Sequence, residues 1–179
     1  MMRIKLTILS CALGLLAGLG AGSTTAAAQD KPALVGSFRD WHVYAMGAGA
    51  NRLCYALSEP KQKTPPGVRR GAPFFLISTW PGRKIVNEPS IVSDYTYKAG
   101  AKAEAQIGSD KFEFFTKTDG DNNGGWMEDP ADERKLIDAM KAGANMIVSG
   151  TSARGTLTKD TYSLVGLTAA IEKVAEECK

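Results

Sequence analysis

The sequence predicts a mainly β protein, an antiparallel, immunoglobulin-like β sandwich with two short helices in its C-terminal half. Three observations carry that expectation. Short apolar or alternating runs recur between Gly-, Pro- and Asn-rich turns from Leu34 onward. The helical patterns come late, from Pro130 and after Gly166, instead of alternating with strands as a βαβ fold requires. The stretch from Met146 to Leu167 reads as two strands turning at Lys159-Asp160 and leading into the last helix, with Met146-Ile147-Val148 apolar on both faces and therefore inside a sheet.

Taken in order, the chain opens with Arg3 and Lys5, a mainly apolar run from Leu6 to Leu19, and Ala26-Ala27-Ala28 before Gln29. This is the pattern of a secretory signal peptide over residues 1–28, too short and too broken by glycine to anchor the chain across a bilayer. Cleavage at Cys11 as a lipoprotein would leave hardly any apolar segment upstream. Residues 29–179 then make one domain. Two of the 22 basic residues and none of the 19 acidic ones precede Gln29, so the mature chain lies one positive charge from neutral. Nothing in that balance suits nucleic acid, which calls for a clustered basic surplus. The expected location is periplasmic or secreted, including association with the outer membrane.

In the first strand region, Val35, Trp41 and Val43 share a face while Phe38 falls out of phase, which implies a bulge near Arg39-Asp40. Met46 to Asn51 is a turn. The strand from Arg52 to Ser58 sets Leu53, Tyr55 and Leu57 on one face and Cys54 and Ala56 on the other. Pro60, Pro65, Pro66 and Gly67 break the segment from Glu59 to Pro73, whose Lys61, Lys63, Arg69 and Arg70 suggest an exposed cationic loop. Such a loop is either simply solvated or able to meet an anionic surface such as a lipopolysaccharide or host-cell glycan. Phe74 to Trp80 reads as a central strand covered on both faces, Ile91 to Tyr97 as a weaker one, and Ala103 to Ile107 with Phe112 and Phe114 as a hairpin. Trp126 begins another short element. Asp129 caps a helix that starts at Pro130, faces the core with Leu136, Ile137 and Met140, and ends at Gly143. Leu167, Ile171, Val174 and Cys178 form the buried stripe of the last helix.

Candidate chemistry is sparse. His42 is the single histidine, and Gly150-Thr151-Ser152-Ala153-Arg154 lacks the second glycine of a nucleophile elbow, so no catalytic triad is expected. Ser58-Glu59-Pro60-Lys61 has the S-x-x-K spacing, but Ser58 ends a strand and Pro60 opens a loop, which puts the lysine out of reach. Asp119-Gly120-Asp121-Asn122-Asn123-Gly124 matches the opening half of a calcium loop, with Asp119, Asp121 and Asn123 as alternate ligands. Its twelfth position is Pro130, where a bidentate glutamate is needed; Asp, Asn and Gly also suit any plain turn. No cofactor and no other metal site is implied. With Cys11 removed, Cys54 and Cys178 remain, and in an exported chain they are either a disulfide or two buried thiols.

Several strings together resemble a known family: Asp40-Trp41-His42-Val43, Cys54 through Lys61, Gly150 through Thr156, and Asp160 through Gly166. The chain resembles the invasion-associated locus B family of exported α-proteobacterial proteins, and Ser163-Leu164-Val165-Gly166-Leu167 is similar to that family's S-L-K-G-F exit into the final helix. Leu167 stands where an aromatic is usual, and Ala45 where related sequences often carry a cysteine that could pair with Cys54. Its absence leaves Cys178 as the intramolecular partner. The resemblance implies a secreted or periplasmic β sandwich linked to host-cell invasion, with an unknown protein or cell-surface partner and no catalytic residues to carry over. A periplasmic small-ligand or calcium-binding module is the alternative.

Overall fold

The computed structural model describes residues 31–68, 70–119 and 122–179; the signal-peptide segment, Cys11, Gln29, Arg69 and Asp121 lie outside them. Eleven strands and two helices follow one another as β1 (Ala33–Phe38), β2 (Trp41–Met46), β3 (Leu53–Ser58), β4 (Gln62–Thr64), β5 (Phe74–Trp80), β6 (Ile85–Val92), β7 (Lys102–Ile107), β8 (Asp110–Asp119), β9 (Asn122–Trp126), α1 (Pro130–Ala142), β10 (Asn145–Thr151), β11 (Leu157–Ser163) and α2 (Leu167–Glu177). The expected antiparallel β architecture with two late helices is what the chain forms. Its two layers belong to one continuous ladder, ordered β1-β2-β3-β5-β6-β9-β8-β7-β10-β11-β4.

The ladder passes from one layer to the other at β6 and β9, where Ser90 pairs with Trp126 and Ile91 with Gly125. It then folds back over itself. Phe75, fully buried on β5, meets Phe114 of β8 at 6.1 Å and Tyr162 of β11 at 6.0 Å, edge to face, with Trp41 of β2 at 6.5 Å. Such geometries are the favoured ones for aromatic pairs, each adding about 0.5–1.5 kcal/mol to its burial. The Trp41 indole N–H donates to the Ser163 carbonyl at 3.1 Å and so joins the far ends of the ladder.

The helices close the interior because their local chemistry is unambiguous. Asp129 caps α1 by accepting from the Ala131 N–H at 2.7 Å, Pro130 opens it, and Gly143 follows its end. Leu136, Ile137 and Met140 are the side chains it buries. In α2, Leu167, Ala170, Ile171 and Val174 are buried, and the helix lies against β1, β2, β3 and β5. Entry into α2 depends on Gly166, whose φ is +96°; a Cβ there would sit 2.0 Å from the Phe38 carbonyl oxygen. At the other end Cys178 and Cys54 are joined, with an S–S distance of 2.00 Å and their Cα atoms 5.9 Å apart.

Six local expectations change. Phe38 and Trp41 face each other across a hairpin, with Arg39 at φ 56°, so the phase break is a turn between two strands and the bulge lies instead between Leu34 and Gly36. The β10–β11 turn falls at Ser152 to Gly155, where the Gly155 N–H donates to the Ser152 carbonyl at 2.8 Å, and Asp160 stands inside β11 opposite Val148. Trp126 ends its strand, and β6 begins six residues before Ile91. The run from Phe74 to Trp80 is central, yet only Phe75, Ile77 and Thr79 are buried; Phe74, Leu76, Ser78 and Trp80 face outward with partial exposure. Ile147, 38 % exposed, likewise faces out of β10.

Candidate functional site

The alternation of β11 decides where charge goes inside this protein. Thr158, Asp160 and Tyr162 are spaced by two and share the inward face, all of them buried. Asp160 therefore needs a partner, since an isolated ionised carboxylate in the interior is heavily penalised. Arg70 supplies it. The segment after β4 turns back and places the guanidinium between Asp160 and Asp94, with side-chain exposures of 7 % for Arg70, 2 % for Asp94 and 7 % for Asp160.

Four charge-assisted hydrogen bonds hold the group. Nη1 and Nη2 of Arg70 donate to the two oxygens of Asp160 at 2.6 and 2.7 Å, while Nη2 and Nε donate to Asp94 at 2.7 and 3.1 Å. Burial works against the guanidinium's charge, but its bonds to Asp160 and Asp94 outweigh that and raise its pKa above the ordinary value. Burial also raises the Asp160 carboxyl, with the Arg70 hydrogen bond pulling the other way. One cation thus neutralises one of two carboxylates, and the cluster keeps a net negative charge.

Aromatic side chains roof this cluster. The Arg70 guanidinium lies 5.4 Å from the ring centre of Tyr95, whose hydroxyl is 2.7 Å from that of Thr158, and Tyr97 meets Tyr95 edge to face at 5.1 Å. Gly150 makes room for both: a Cβ there would stand 2.6 Å from the Tyr95 hydroxyl and 2.8 Å from the Tyr97 ring. Burial pushes the phenols of Tyr95, Tyr97 and Tyr162 up, so each stays a neutral hydrogen-bonding group. The Tyr162 hydroxyl, wholly enclosed, has no hydrogen-bond partner among the described residues.

Outside the cluster lies a cleft of about 420 Å³, lined among others by Val68, Arg70, Tyr95, Ser152, Arg154 and Thr158. Its wall combines hydroxyls, the Tyr95 ring and the exposed Arg154 guanidinium with apolar Pro65, Val68 and Ala153, and buried charge lies behind it. That is chemistry for holding a small polar or anionic group. It is poor chemistry for a reaction, because the carboxylates are committed to Arg70 and no histidine is near; His42 sits on the far layer, its Nδ1 3.0 Å from the Ser37 hydroxyl. A wider hollow of about 880 Å³ between α1 and β7 is lined by groups such as Gln62, Gln106, Ala142 and Asn145 and holds no buried charge.

The cationic loop expected from Glu59 to Pro73 is largely tied down. Lys61 pairs with Asp40 at 2.5 Å, Lys63 donates to the Gly71 carbonyl at 2.8 Å, β4 adds itself to β11, and Arg70 points inward. Composition alone points its basic residues to solvent, because the carboxylates that recruit Arg70 stand 24 and 90 residues away. The one signal within reach was the phase of β11, since Tyr162 facing inward puts Asp160 inward as well. For the calcium motif, the β8–β9 ladder runs up to the pair Asp119 and Asn122, and the Asn123 carbonyl accepts from the Ser93 N–H at 2.8 Å. Gly120, Asp121 and the side chains of Asp119 and Asn122 lie outside the described residues. Elsewhere among the described residues no group of three or more His, Cys, Asp or Glu side chains is placed to hold a metal.

Comparison with known proteins bears on this fold. The family model described as invasion associated locus B (IalB) protein matches residues 41–175. Among solved structures, the crystal structure of invasion associated protein b from Bartonella henselae superposes with a TM-score of 0.57 at 12 % identity, covering 80 % of this chain and 97 % of that one. No curated protein sequence matches.

Proposed function

The chain belongs to the invasion-associated locus B family, and from that premise we propose that it is an exported protein of the cell envelope that acts by contact with a protein or cell-surface partner and catalyses no reaction. Family membership is the observation that carries this reading, because the family's name ties it to invasion. Two features of the chain support export. The first thirty residues contain a basic start, an apolar run and an Ala-x-Ala site. A disulfide joining residues 124 apart in sequence belongs to an oxidising compartment. No helix among the described residues is long and apolar enough to cross a membrane. The absence of catalysis is inferred from the cleft, whose two carboxylates are both hydrogen-bonded to Arg70 and offer neither a nucleophile nor a free base.

The test is fractionation of cells producing the tagged full chain, followed by capture from envelope and host-cell membrane fractions. Recovery in the periplasm or medium with a reproducible partner supports the proposal. Retention in the cytoplasm, or no specific partner in either fraction, overturns it.

The cleft favours a second reading, a periplasmic module for a small polar ligand, with Arg154, Tyr95 and Ser152 as its contacts. A ligand that binds only the folded chain raises its melting midpoint. Melts in panels of small organic acids, and in calcium against chelator, separate the two readings: a raised midpoint that Arg154→Ala abolishes places the cleft first.

A further inference from the structure

The cleft beside the Arg70 cluster has more hydrogen-bond donors than acceptors left to offer. The carboxylate oxygens of Asp94 and Asp160 are turned onto Arg70. Tyr95 and Thr158 are fixed in direction as well as position. Thr158 Oγ1 donates to the Gly150 carbonyl at 3.2 Å, so in the 2.7 Å contact between the two hydroxyls it is Tyr95 that donates. Tyr95 therefore has no proton to give the cleft. The donors that remain sit on the β10–β11 turn. Ser152 Oγ accepts from the Thr156 N–H at 3.2 Å, which leaves the hydroxyl hydrogen without an acceptor among the described residues. Arg154, two residues on, is exposed, and its guanidinium is in no ion pair among the described residues.

Charge has the same sense. Lys63 stands close enough to Asp160 to act on its carboxyl and offsets the one excess negative charge of the cluster. Arg154 then leaves the cleft one positive charge in surplus. Another part of the lining is apolar: Val68, 52 % exposed, and Pro65 come from the segment that carries Arg70, and the Tyr95 ring lines the same cleft. An exposed valine in a concave site is surface that a ligand gains by covering.

We infer that the cleft binds a monocarboxylate carried on a short apolar group, its carboxylate held by Arg154 and Ser152 and its apolar end set against Val68 and Pro65. The inference rests on the reading of the cleft as a ligand module and names the ligand's class. A guanidinium fork beside a free hydroxyl suits the two oxygens of a carboxylate. The volume of about 420 Å³ lies at the small end for ligand sites, which limits the apolar group to a few carbons. A second anionic group would come up against Asp94, which also lines the cleft, so dicarboxylates and phosphate are disfavoured. A free branched-chain acid and the C-terminal residue of a peptide both carry the chemistry required.

The test follows the amide spectrum of the oxidised mature chain by NMR as isovalerate is added at constant ionic strength, over the range of about 0.1–50 mM that so small a ligand requires. Saturable shifts should be confined to residues 152–156 and the surroundings of Tyr95 and Val68, away from His42. Isovaleramide, which has the same shape without the charge, should bind at least about tenfold more weakly, as should isovalerate on Arg154→Ala, since each loses a charge-assisted bond. Arg154→Lys should recover part of that loss, and Val68→Ser should weaken binding about fivefold by removing apolar contact. Succinate and phosphate should bind more weakly than isovalerate. An acetylated dipeptide ending in valine, with its amide as control, separates the sources: whichever of peptide and free acid binds more tightly names the source. Isovalerate that is matched by isovaleramide, or is indifferent to Arg154→Ala, overturns the inference. Tighter binding of succinate or phosphate overturns it too, yet leaves the cleft as a ligand site. No saturable shift with any of these probes, or with small amines, removes both the inference and the reading beneath it.

Discussion

Replacing Arg70 with Met keeps the length of the side chain and removes its charge, leaving Asp94 and Asp160 buried side by side. Both carboxylates lose their charge-assisted bonds, at 2.6–3.1 Å, in a site where the side chains are 2 % and 7 % exposed. Breaking such a group from one side costs about 3–5 kcal/mol. An independent ceiling agrees, because the folded chain can escape the penalty by protonating a carboxylate, which from an unperturbed pKa near 3.9 costs about 4 kcal/mol at pH 7. The escape makes the loss pH-dependent. With Arg70 gone, burial and the neighbouring Asp94 hold the folded-state pKa of the Asp160 carboxyl above its unfolded value, so the folded state binds more protons. Relative stability is then full below the unfolded pKa and is lost as pH rises through the folded one. Urea unfolding of the oxidised mature chain, followed by tryptophan fluorescence, should show a loss of about 3–5 kcal/mol at pH 7.5, shrinking by about 1.4 kcal/mol per pH unit as Asp160 takes up its proton. An Arg70→Met variant that loses under about 1 kcal/mol, or loses the same amount at pH 5 and pH 7.5, refutes the account of this cluster.

Reducing the Cys54–Cys178 bond removes a cross-link over 124 residues of sequence. The chain-entropy model puts that at roughly 4–5 kcal/mol, to be read as a fall in urea midpoint between oxidised and reduced protein. Tyr162→Phe deletes a wholly enclosed hydroxyl that lacks a partner among the described residues; its unfolding free energy should be unchanged or rise by up to about 1 kcal/mol, and a loss of about 2 kcal/mol would reveal a bond to that hydroxyl. For Gly166→Ala, the left-handed backbone and the Phe38 carbonyl 2.0 Å from the new Cβ set the expectation. A loss of about 2–3 kcal/mol in the same assay checks it.

Legibility in the sequence followed the range of the interactions. Helix α1 could be placed residue by residue, because Asp129, Pro130 and Gly143 act within one turn of its ends and Leu136, Ile137 and Met140 repeat at helical spacing. The α2 stripe and the alternation of β3 were equally local. Arg70 was not legible, since its partners come from the β6–β7 connection and from β11 and only the ladder brings them together. Nor could the stretch from Phe74 to Trp80 reveal that half its apolar side chains face out. A run apolar on both sides looks the same whether its second face meets a helix, a sheet or the outer surface. The pairings of β6 with β9 and of β4 with β11 leave no local mark at all.

The bond between Cys54 and Cys178 also determines how the molecule answers a pull on its two ends. Tension passing Lys31 from the N-terminal side runs along β1 and β2 to Cys54 and crosses the sulfur atoms to Cys178, so the loop between the cysteines carries no load. Stretched to its contour, the oxidised chain yields only the segment from residue 31 to residue 54, roughly 80 Å of slack, while the cleft and most of the ladder stay shielded. Reduction would release roughly another 430 Å at once. The disulfide is therefore a mechanical shunt as well as a staple, and it confines yielding under force to the first two strands.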